Sequence, residues 1–293
     1  MSKVLVVGGS GFLGSHVADQ LVHAGHEVTI FDKSESEWIQ PDQKIIIGDL
    51  LDKTDVDKAV KGSDYIYHFA GIADIGESAL DPYETIRTNI MGTTNLLRSA
   101  SENDVKRFIF GSTIYVYSRF GSFYTASKQS CEIIVETFQK ERGLDFTLLR
   151  YGSLYGPRAQ EWNGINKFIT QIVRDGKLDY FGTGEEKREY IHVEDAARMS
   201  VSILDSEYRN SAITVTGTQV YNSRELIDMI FEIAGAEPNV NFKRNDESSG
   251  HYVKTPYSYH PKNGRKIVPK NFVDLGEGIL DIIRTIDKKD SDA

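Results

Sequence analysis

The chain has 293 residues, 40% of them hydrophobic and 26% charged, with a formal net charge of −9. Such an acidic balance lacks the basic footprint of a nucleic-acid binder, and no apolar run approaches the roughly 18 residues of a membrane span. The single cysteine, Cys131, excludes an intrachain disulfide and fits a reducing compartment such as the cytoplasm.

Length suits one large α/β domain or two smaller ones. The start, Met1–Ser2–Lys3, leads directly into a short apolar run and lacks a signal-peptide core. That run, KVLVV at 3–7, reads as a strand buried on both faces. GGSGFLG follows at once, and then Val17, Leu21 and Val22 recur at helical spacing. Gly8, Gly11 and Gly14 therefore sit in a strand-to-helix turn. Glycines there permit a tight turn and close backbone approach to a pyrophosphate. The helix N-terminus offers unpaired N–H groups to the phosphates.

HEVTIFD reads as a second strand ending in Asp32. An acidic residue about 20 residues beyond the glycines is where an adenosine ribose 2′-OH would be held. A carboxylate there repels a 2′-phosphate, so NAD is expected over NADP. KIIIGDL (44–50) is a third strand, followed by Asp49 and Leu50 at the expected adenine site. DYIYHFAG (64–71) is a fourth, ending in Ala70 and Gly71, small enough for a cofactor to approach. Asp81–Pro82 opens a helix that runs to about Ala100 and carries Asn89.

VKRFIFGST is a fifth strand, ending at Thr113. A helix over 123–142 carries Tyr124 and Lys128, four apart and so on one face. An ammonium one turn from a phenol is expected to lower the phenol's pKa from about 10, towards the range useful to a general base. Thr113 would hydrogen-bond the oxygen from which Tyr124 takes a proton. FTLLRYGSLYGPR (146–158) is a sixth strand with an exit loop.

Strands alternating with helices predict a Rossmann-like α/β fold, a doubly wound parallel sheet with helices on both faces. Ligands of such sheets bind outside the carboxyl ends of the strands. Asp32, Asp49, Ala70, Thr113 and Gly152 all fall at predicted strand ends. Residues 1–158 are read as the NAD-binding domain. Residues 159–293 are read mostly as a smaller C-terminal α/β substrate-binding lobe, with one or two segments free to return to the main sheet. This second half holds helices at about 163–175, from Glu194 and at 223–235, strands LDYFG and 212–216, and a last helix ending near Asp287.

With these residues in view, the chain resembles the extended short-chain dehydrogenases/reductases, and more narrowly the NAD-dependent epimerase/dehydratase family acting on nucleotide sugars. The resemblance covers about residues 3–285. It rests on GGSGFLGSH, Asp32, GDL, HFAG, NIMGT, VKRFIFGST, YTASK, LRYGSLYGPR and REYIHVEDAA. It implies that Gly8, Gly11, Phe12, Leu13 and Gly14 line the pyrophosphate and that Asp32 holds the adenosine ribose. Asp49 and Leu50 would meet the adenine, and Ala70 and Asn89 would flank the cofactor. Lys128 would also bond the nicotinamide ribose. Arg188 would bind the substrate diphosphate, which an arginine fork suits. Ser153 stands where the family usually has a substrate-binding asparagine. Relatives self-associate through helices equivalent to 82–100 and 129–142, so a homodimer or higher homo-oligomer is implied.

Three departures bear on the reaction. Thr113 and Tyr124 are only eleven residues apart, where nucleotide-sugar relatives insert a longer loop. Ile114 and Tyr115 follow Thr113 where sugar dehydratases carry an acid, so a 4,6-dehydratase is disfavoured. The arginine-rich tail motif is replaced by HYVKTPYSYHPK. The short loop and this tail are similar to bacterial capsule-sugar enzymes such as GDP-heptose 4-dehydrogenases. The expected activity is NAD-dependent oxidation of a secondary alcohol, C4–OH, of a nucleotide sugar, as a 4-dehydrogenase or 4-epimerase. The rival is a non-catalytic NAD sensor or scaffold, which would have no need of the Thr–Tyr–Lys set.

Other polar residues have plainer readings. His68 reads as a buried strand residue, His192 as packing through hydrogen bonds, and Asp74 as a solvated acid beside the cleft. Among His, Cys and Asp no metal-ligand spacing occurs, so no metal is expected.

Overall fold

A computed structural model describes residues 1–118, 120–243 and 265–291. The first half runs β1 (Lys3–Val7), α1 (Phe12–His23), β2 (Glu27–Asp32), β3 (Gln43–Ile47), α2 (Lys53–Val60), β4 (Tyr65–His68), α3 (Ile75–Leu80) and α4 (Pro82–Ile86). A π-turn (Arg87–Met91) joins α4 to α5 (Gly92–Glu102), which leads to β5 (Arg107–Thr113). A 3-10 turn (Ile114–Tyr117) precedes α6 (Ser122–Arg142), β6 (Phe146–Tyr151) and β7 (Ser153–Tyr155).

The second half contains α7 (Gly164–Asp175), β8 (Leu178–Phe181), β9 (Lys187–His192), α8 (Val193–Ser202), β10 (Ser211–Val215), β11 (Val220–Asn222), α9 (Ser223–Ala234) and β12 (Val240–Lys243). The last elements are β13 (Arg265–Ile267) and α10 (Leu275–Ser291).

The main sheet has the order β13-β10-β6-β5-β4-β1-β2-β3, and every pairing is parallel. Its central strands are buried on both faces: β1, β5 and β6 have nearly all residues buried. That is the expected consequence of covering both sides with helices. One face packs against α2, α5 and α6 through Val56, Leu96, Cys131 and Val135. The other packs against α1 and α8 through Val17, Leu21, Ala196 and Ala197. Thus β10, β13 and α8, all beyond residue 158, belong to the main sheet and its cover.

The remaining second-half elements form a lobe with its own core. Ile165, Ile169 and Ile172 of α7 meet Leu226, Ile230 and Phe231 of α9 and Ile279 and Ile282 of α10. Two small sheets complete it, β11-β9-β7 and β12-β8. The order of the main sheet reverses between β1 and β4, and the crevice that opens there is the ligand position of such folds.

Two details differ from the helical reading of 82–100. A separate helix, α3, precedes it, and a π-turn interrupts it. The wide turn leaves Asn89 facing inward, 3% exposed, as π-turns often do where a side chain must be re-aimed. No helix of the described residues is long and apolar enough to cross a membrane. The HYVKTPYSYHPK stretch lies outside the described residues.

Candidate active site

A cleft of about 1810 Å³ runs along the carboxyl ends of the main-sheet strands and is closed on its far side by the second lobe. Its walls include Gly8, Gly11, Phe12, Leu13, Gly14, Asp32, Asp49, Leu50, Ala70, Thr113, Tyr124, Lys128, Ser153 and Arg188. Residues up to 180 positions apart in sequence are therefore brought to one cavity by the strand ends that carry them.

The glycine turn is built as a cradle. Gly8 has φ +81, and an added Cβ would lie 2.5 Å from the Ala70 backbone nitrogen. At Gly14 a Cβ would collide with the Gly8 carbonyl oxygen. Gly11 caps α1 without any side-chain hydrogen bond. The first N–H groups of the helix, at Phe12 and Leu13, thus have no intrahelical partner and border the cleft. Asp32 closes this end. Its carboxylate accepts from Ser10 N at 3.0 Å and Ser34 N at 3.3 Å, tying the glycine turn to the end of β2.

Asn89 is not on the cleft wall. Its Nδ2 donates to Ile72 O at 3.0 Å and to Ser127 Oγ at 2.9 Å, and its Oδ1 accepts from Ile72 N at 2.7 Å. Both ends of the amide are spent on fixing the loop after β4 against α6. Asn89 shapes the wall at Gly71–Ile72 and does not itself face the cleft. An added Cβ at Gly71 would lie 2.6 Å from Asn89 Oδ1.

At the middle of the cleft, Thr113 ends β5 and Tyr124 and Lys128 lie one turn apart on α6. The Thr113 side chain faces the Tyr124 hydroxyl closely enough to favour its phenolate. Lys128 Nζ donates to the Gly111 carbonyl at 2.7 Å and lies 4.7 Å from the Phe110 ring centroid. The expected depression of the tyrosine's pKa does not occur in the chain by itself. Burial pushes Tyr124 up to about 12, and the neighbouring Thr113 side chain offsets only part of that. Burial likewise lowers Lys128 below its ordinary value, while Cys131 and Glu132 oppose the fall. Desolvation outweighs helical proximity because both groups sit in protein rather than on a wet helix face.

Sequence reasoning missed the polar cluster behind this site. Arg150 of β6 holds Glu132 of α6 bidentate, Nε to Oε1 at 2.9 Å and Nη2 to Oε2 at 2.7 Å. Ser112 donates to Glu132 Oε1 at 2.6 Å, and Arg150 Nη1 donates to the Tyr117 hydroxyl at 2.7 Å. The one available signal was a charged residue, Arg150, inside an otherwise apolar strand.

The structure also resolves the plainer residues. His68 is buried, bonded to Thr93 Oγ1 at 2.9 Å, and burial holds it well below the ordinary imidazole range. His192 does not pack by hydrogen bonds: neither ring nitrogen has a partner among the described residues, and burial lowers it to about 4. Asp74 caps α3, accepting from Glu77 N at 2.6 Å, and lines the cleft. Among the described residues no group of three His, Cys, Asp or Glu could hold a metal ion.

The family model for the NAD dependent epimerase/dehydratase family matches residues 4–216. The chain belongs to this family. It is similar to the UDP-N-acetyl-alpha-D-glucosaminuronate decarboxylase of Bacillus cytotoxicus, at 29% identity, over 93% of this chain and 89% of that protein. Among solved structures it is similar to the UDP-glucose 4-epimerase of Thermotoga maritima with UDP-glucose, with 26% identity and a TM-score of 0.86 over 98% of this chain and 99% of that one. The Thermus thermophilus UDP-glucose 4-epimerase in complex with NAD gives 26% identity and a TM-score of 0.81 over 96% and 98%.

The chain is thus an extended short-chain dehydrogenase/reductase, an enzyme whose cofactor is NAD. The residues present fit that cofactor. The uncapped N–H groups at Phe12 and Leu13 and the glycine cradle suit a pyrophosphate, and Asp32 offers carboxylate oxygens at the second strand end. Bound there, NAD supplies the hydride acceptor.

Proposed function

We propose that the enzyme oxidises a secondary alcohol, C4–OH, of a nucleotide-activated sugar, and acts as a 4-dehydrogenase or 4-epimerase in surface-polysaccharide sugar biosynthesis. The observation that carries this reading is the convergence of Thr113, Tyr124 and Lys128 on one cleft, with Lys128 one turn from Tyr124 on α6. Thr113 orients the sugar hydroxyl, Tyr124 removes its proton, and Lys128 favours the phenolate and holds the nicotinamide ribose. Arg188 and Ser153, on the far wall, bind the substrate's diphosphate end and sugar. Gly8, Gly11 and Gly14 border the pyrophosphate, and Asp32 holds the adenosine ribose.

The fate of the 4-keto sugar depends on what else touches it. A 6-deoxy product requires proton removal at C5 and protonation of the leaving C6 oxygen. Positions 114–118, IYVYS, carry no carboxylate for either step. Ile114 offers the cleft only a buried apolar side chain, and Tyr115 presents a phenol edge-on to Tyr124, ring centroids 6.5 Å apart.

A second reading is favoured by the 29% relative named as a UDP-N-acetyl-alpha-D-glucosaminuronate decarboxylase. If the sugar bears a C6 carboxylate, a C4 ketone makes it a β-keto acid. The C5–C6 bond then breaks to release carbon dioxide, its electron pair passes into an enolate with the C4 oxygen, and C5 takes its replacement proton from water, with no carboxylate required at 114–118. Both readings share the first step, C4 oxidation.

The exposed faces of α4, the π-turn and α6 support self-association as a homodimer.

The test is absorbance of reduced nicotinamide on adding UDP-, dTDP- and GDP-sugars, with and without a C6 carboxylate, followed by mass spectrometry of the sugar. A 4-dehydrogenase gives about one equivalent of NADH per site and stalls unless the cofactor exchanges. An epimerase gives transient NADH and no net change. Loss of 44 mass units identifies decarboxylation (roughly the mass of CO₂), and loss of water sinks the no-dehydration claim.

A further inference from the structure

We propose that Glu132 is a positioning residue for the catalytic pair, locked by Arg150 so that the α6 turn bearing Tyr124 and Lys128 is held in register with Thr113. This rests on the roles assigned to Tyr124 and Lys128 above.

The cluster joins the segments that carry the chemistry. Ser112, which donates to Glu132, is the neighbour of Thr113 in β5. Glu132 lies four residues beyond Lys128 on α6, one turn further along the same face. Tyr117, which accepts from Arg150, ends the 3-10 turn that leads from Thr113 into α6. Arg150 supplies the fork from β6, with its guanidinium carbon 4.9 Å from the Tyr117 ring centroid. A planar fork bound at both carboxylate oxygens fixes rotation as well as distance.

Stability alone does not account for the pair. The two side chains are 3% and 4% exposed, and a well-packed apolar pair of similar volume is often as stable or more so. Elsewhere α6 is anchored to the core by Cys131, Val135, Ile134 and Phe138. The ionic cluster occurs on the turn next to Lys128, where angular placement matters to a proton transfer. It also keeps a carboxylate near Lys128, where it works against the burial that favours the neutral amine.

The test compares the wild type with Glu132→Gln, Ser112→Ala and the double variant Glu132→Met/Arg150→Met, which avoids leaving one buried charge alone. The double variant should fold, with a thermal midpoint near or above that of the wild type and NAD affinity within a few-fold. Its kcat should fall by about 10²-fold, the scale of a 1 Å misplacement, with KM little changed.

Removing the carboxylate should also move the alkaline limb of the pH–rate profile to lower pH, as Lys128 loses its proton earlier. With the α6 turn out of register, Tyr124 would lose the Thr113 contact that favours its phenolate, so its ionisation, read by tyrosinate absorbance against Tyr124→Phe, should move to higher pH. This titration needs no substrate, so it decides the proposal even if no nucleotide sugar is turned over. Wild-type kcat and an unmoved tyrosinate titration in the folded double variant would overturn it.

Discussion

Lys128 gives its ammonium hydrogen bond to the Gly111 carbonyl at 2.7 Å, while its Nζ stays 6.0 Å from the Tyr124 ring centroid. The lysine is thus held beside the tyrosine by the backbone of β5. Without cofactor, burial keeps the phenol at about 12. A positive charge brought near a phenol favours phenolate, and oxidised nicotinamide carries one. The tyrosinate difference titration, Tyr124→Phe subtracted, should therefore show a midpoint near 12 in the free protein and a lower one with NAD. An unchanged midpoint would mean that the cofactor does not tune this group. The sign for stability follows from the raised value. The contribution is intact below about pH 10, the ordinary tyrosine pKa, and is lost as pH rises towards 12.

Tyr124→Phe should abolish hydride transfer and leave NAD affinity within a few-fold. The phenol is asked only to move a proton, and a general base typically contributes about 10²–10⁴-fold. A variant that keeps more than a tenth of the wild-type rate would remove Tyr124 from that role.

Asp32 is the group expected to select NAD. Its carboxylate stands at the end of β2 and already accepts from Ser10 and Ser34. Hydrogen bonds to charged groups are worth about 1.5–3 kcal/mol. Asp32→Ala should therefore weaken NAD binding by about tenfold or more and improve NADP relative to it, measured by fluorescence titration of both dinucleotides. A wild type that prefers NADP would refute the assignment.

Much of the cleft wall is legible because its signals are local. The glycine turn, Asp32 and the small residues after β4 each lie within a few residues of a recognisable strand. What escapes the sequence is what depends on distant partners. Asn89 carries a motif, yet its amide is consumed by Ile72 and Ser127, 17 and 38 residues away. Glu132 and Arg150 are 18 apart and meet only because α6 crosses β6. The sign of the Tyr124 shift escapes the sequence for the same reason. Helical spacing gives the distance to Lys128, but burial is a sum over the whole fold.

Self-association should involve the outer faces of α4, the π-turn and α6. Ile90, Ile134 and Phe138 pack against the core. By contrast Ile86, Met91 and Ile133 are 43%, 52% and 60% exposed, which is costly for a cluster facing only water. Light scattering at micromolar concentration should give a dimer or larger mass, and Ile133→Glu with Met91→Glu should shift it towards monomer. A wild-type monomer would rule the contact out.

The short connection between Thr113 and Tyr124 makes a further demand on the chain. It turns into α6 through two left-handed residues in succession, Gly121 at φ +96 and Ser122 at φ +54. A Cβ at Gly121 would collide with Thr125 Oγ1 and come within 2.8 Å of Tyr115 Cδ1. The Thr125 hydroxyl is itself engaged, donating to Phe120 O at 2.7 Å. Gly121→Ala should therefore cost about 1–2 kcal/mol for the backbone alone, and more for the displaced Thr125. At about 2–4 °C per kcal/mol, that is a drop in thermal midpoint of several degrees. The strain would also fall three residues before Tyr124, so kcat should fall further than stability does. Ser122→Gly is the control. Ser122 is exposed, and glycine adopts its positive φ freely, so stability should stay within about 0.5 kcal/mol of the wild type. If Gly121→Ala left both the thermal midpoint and kcat unchanged, the turn could not be what aims Tyr124 into the cleft.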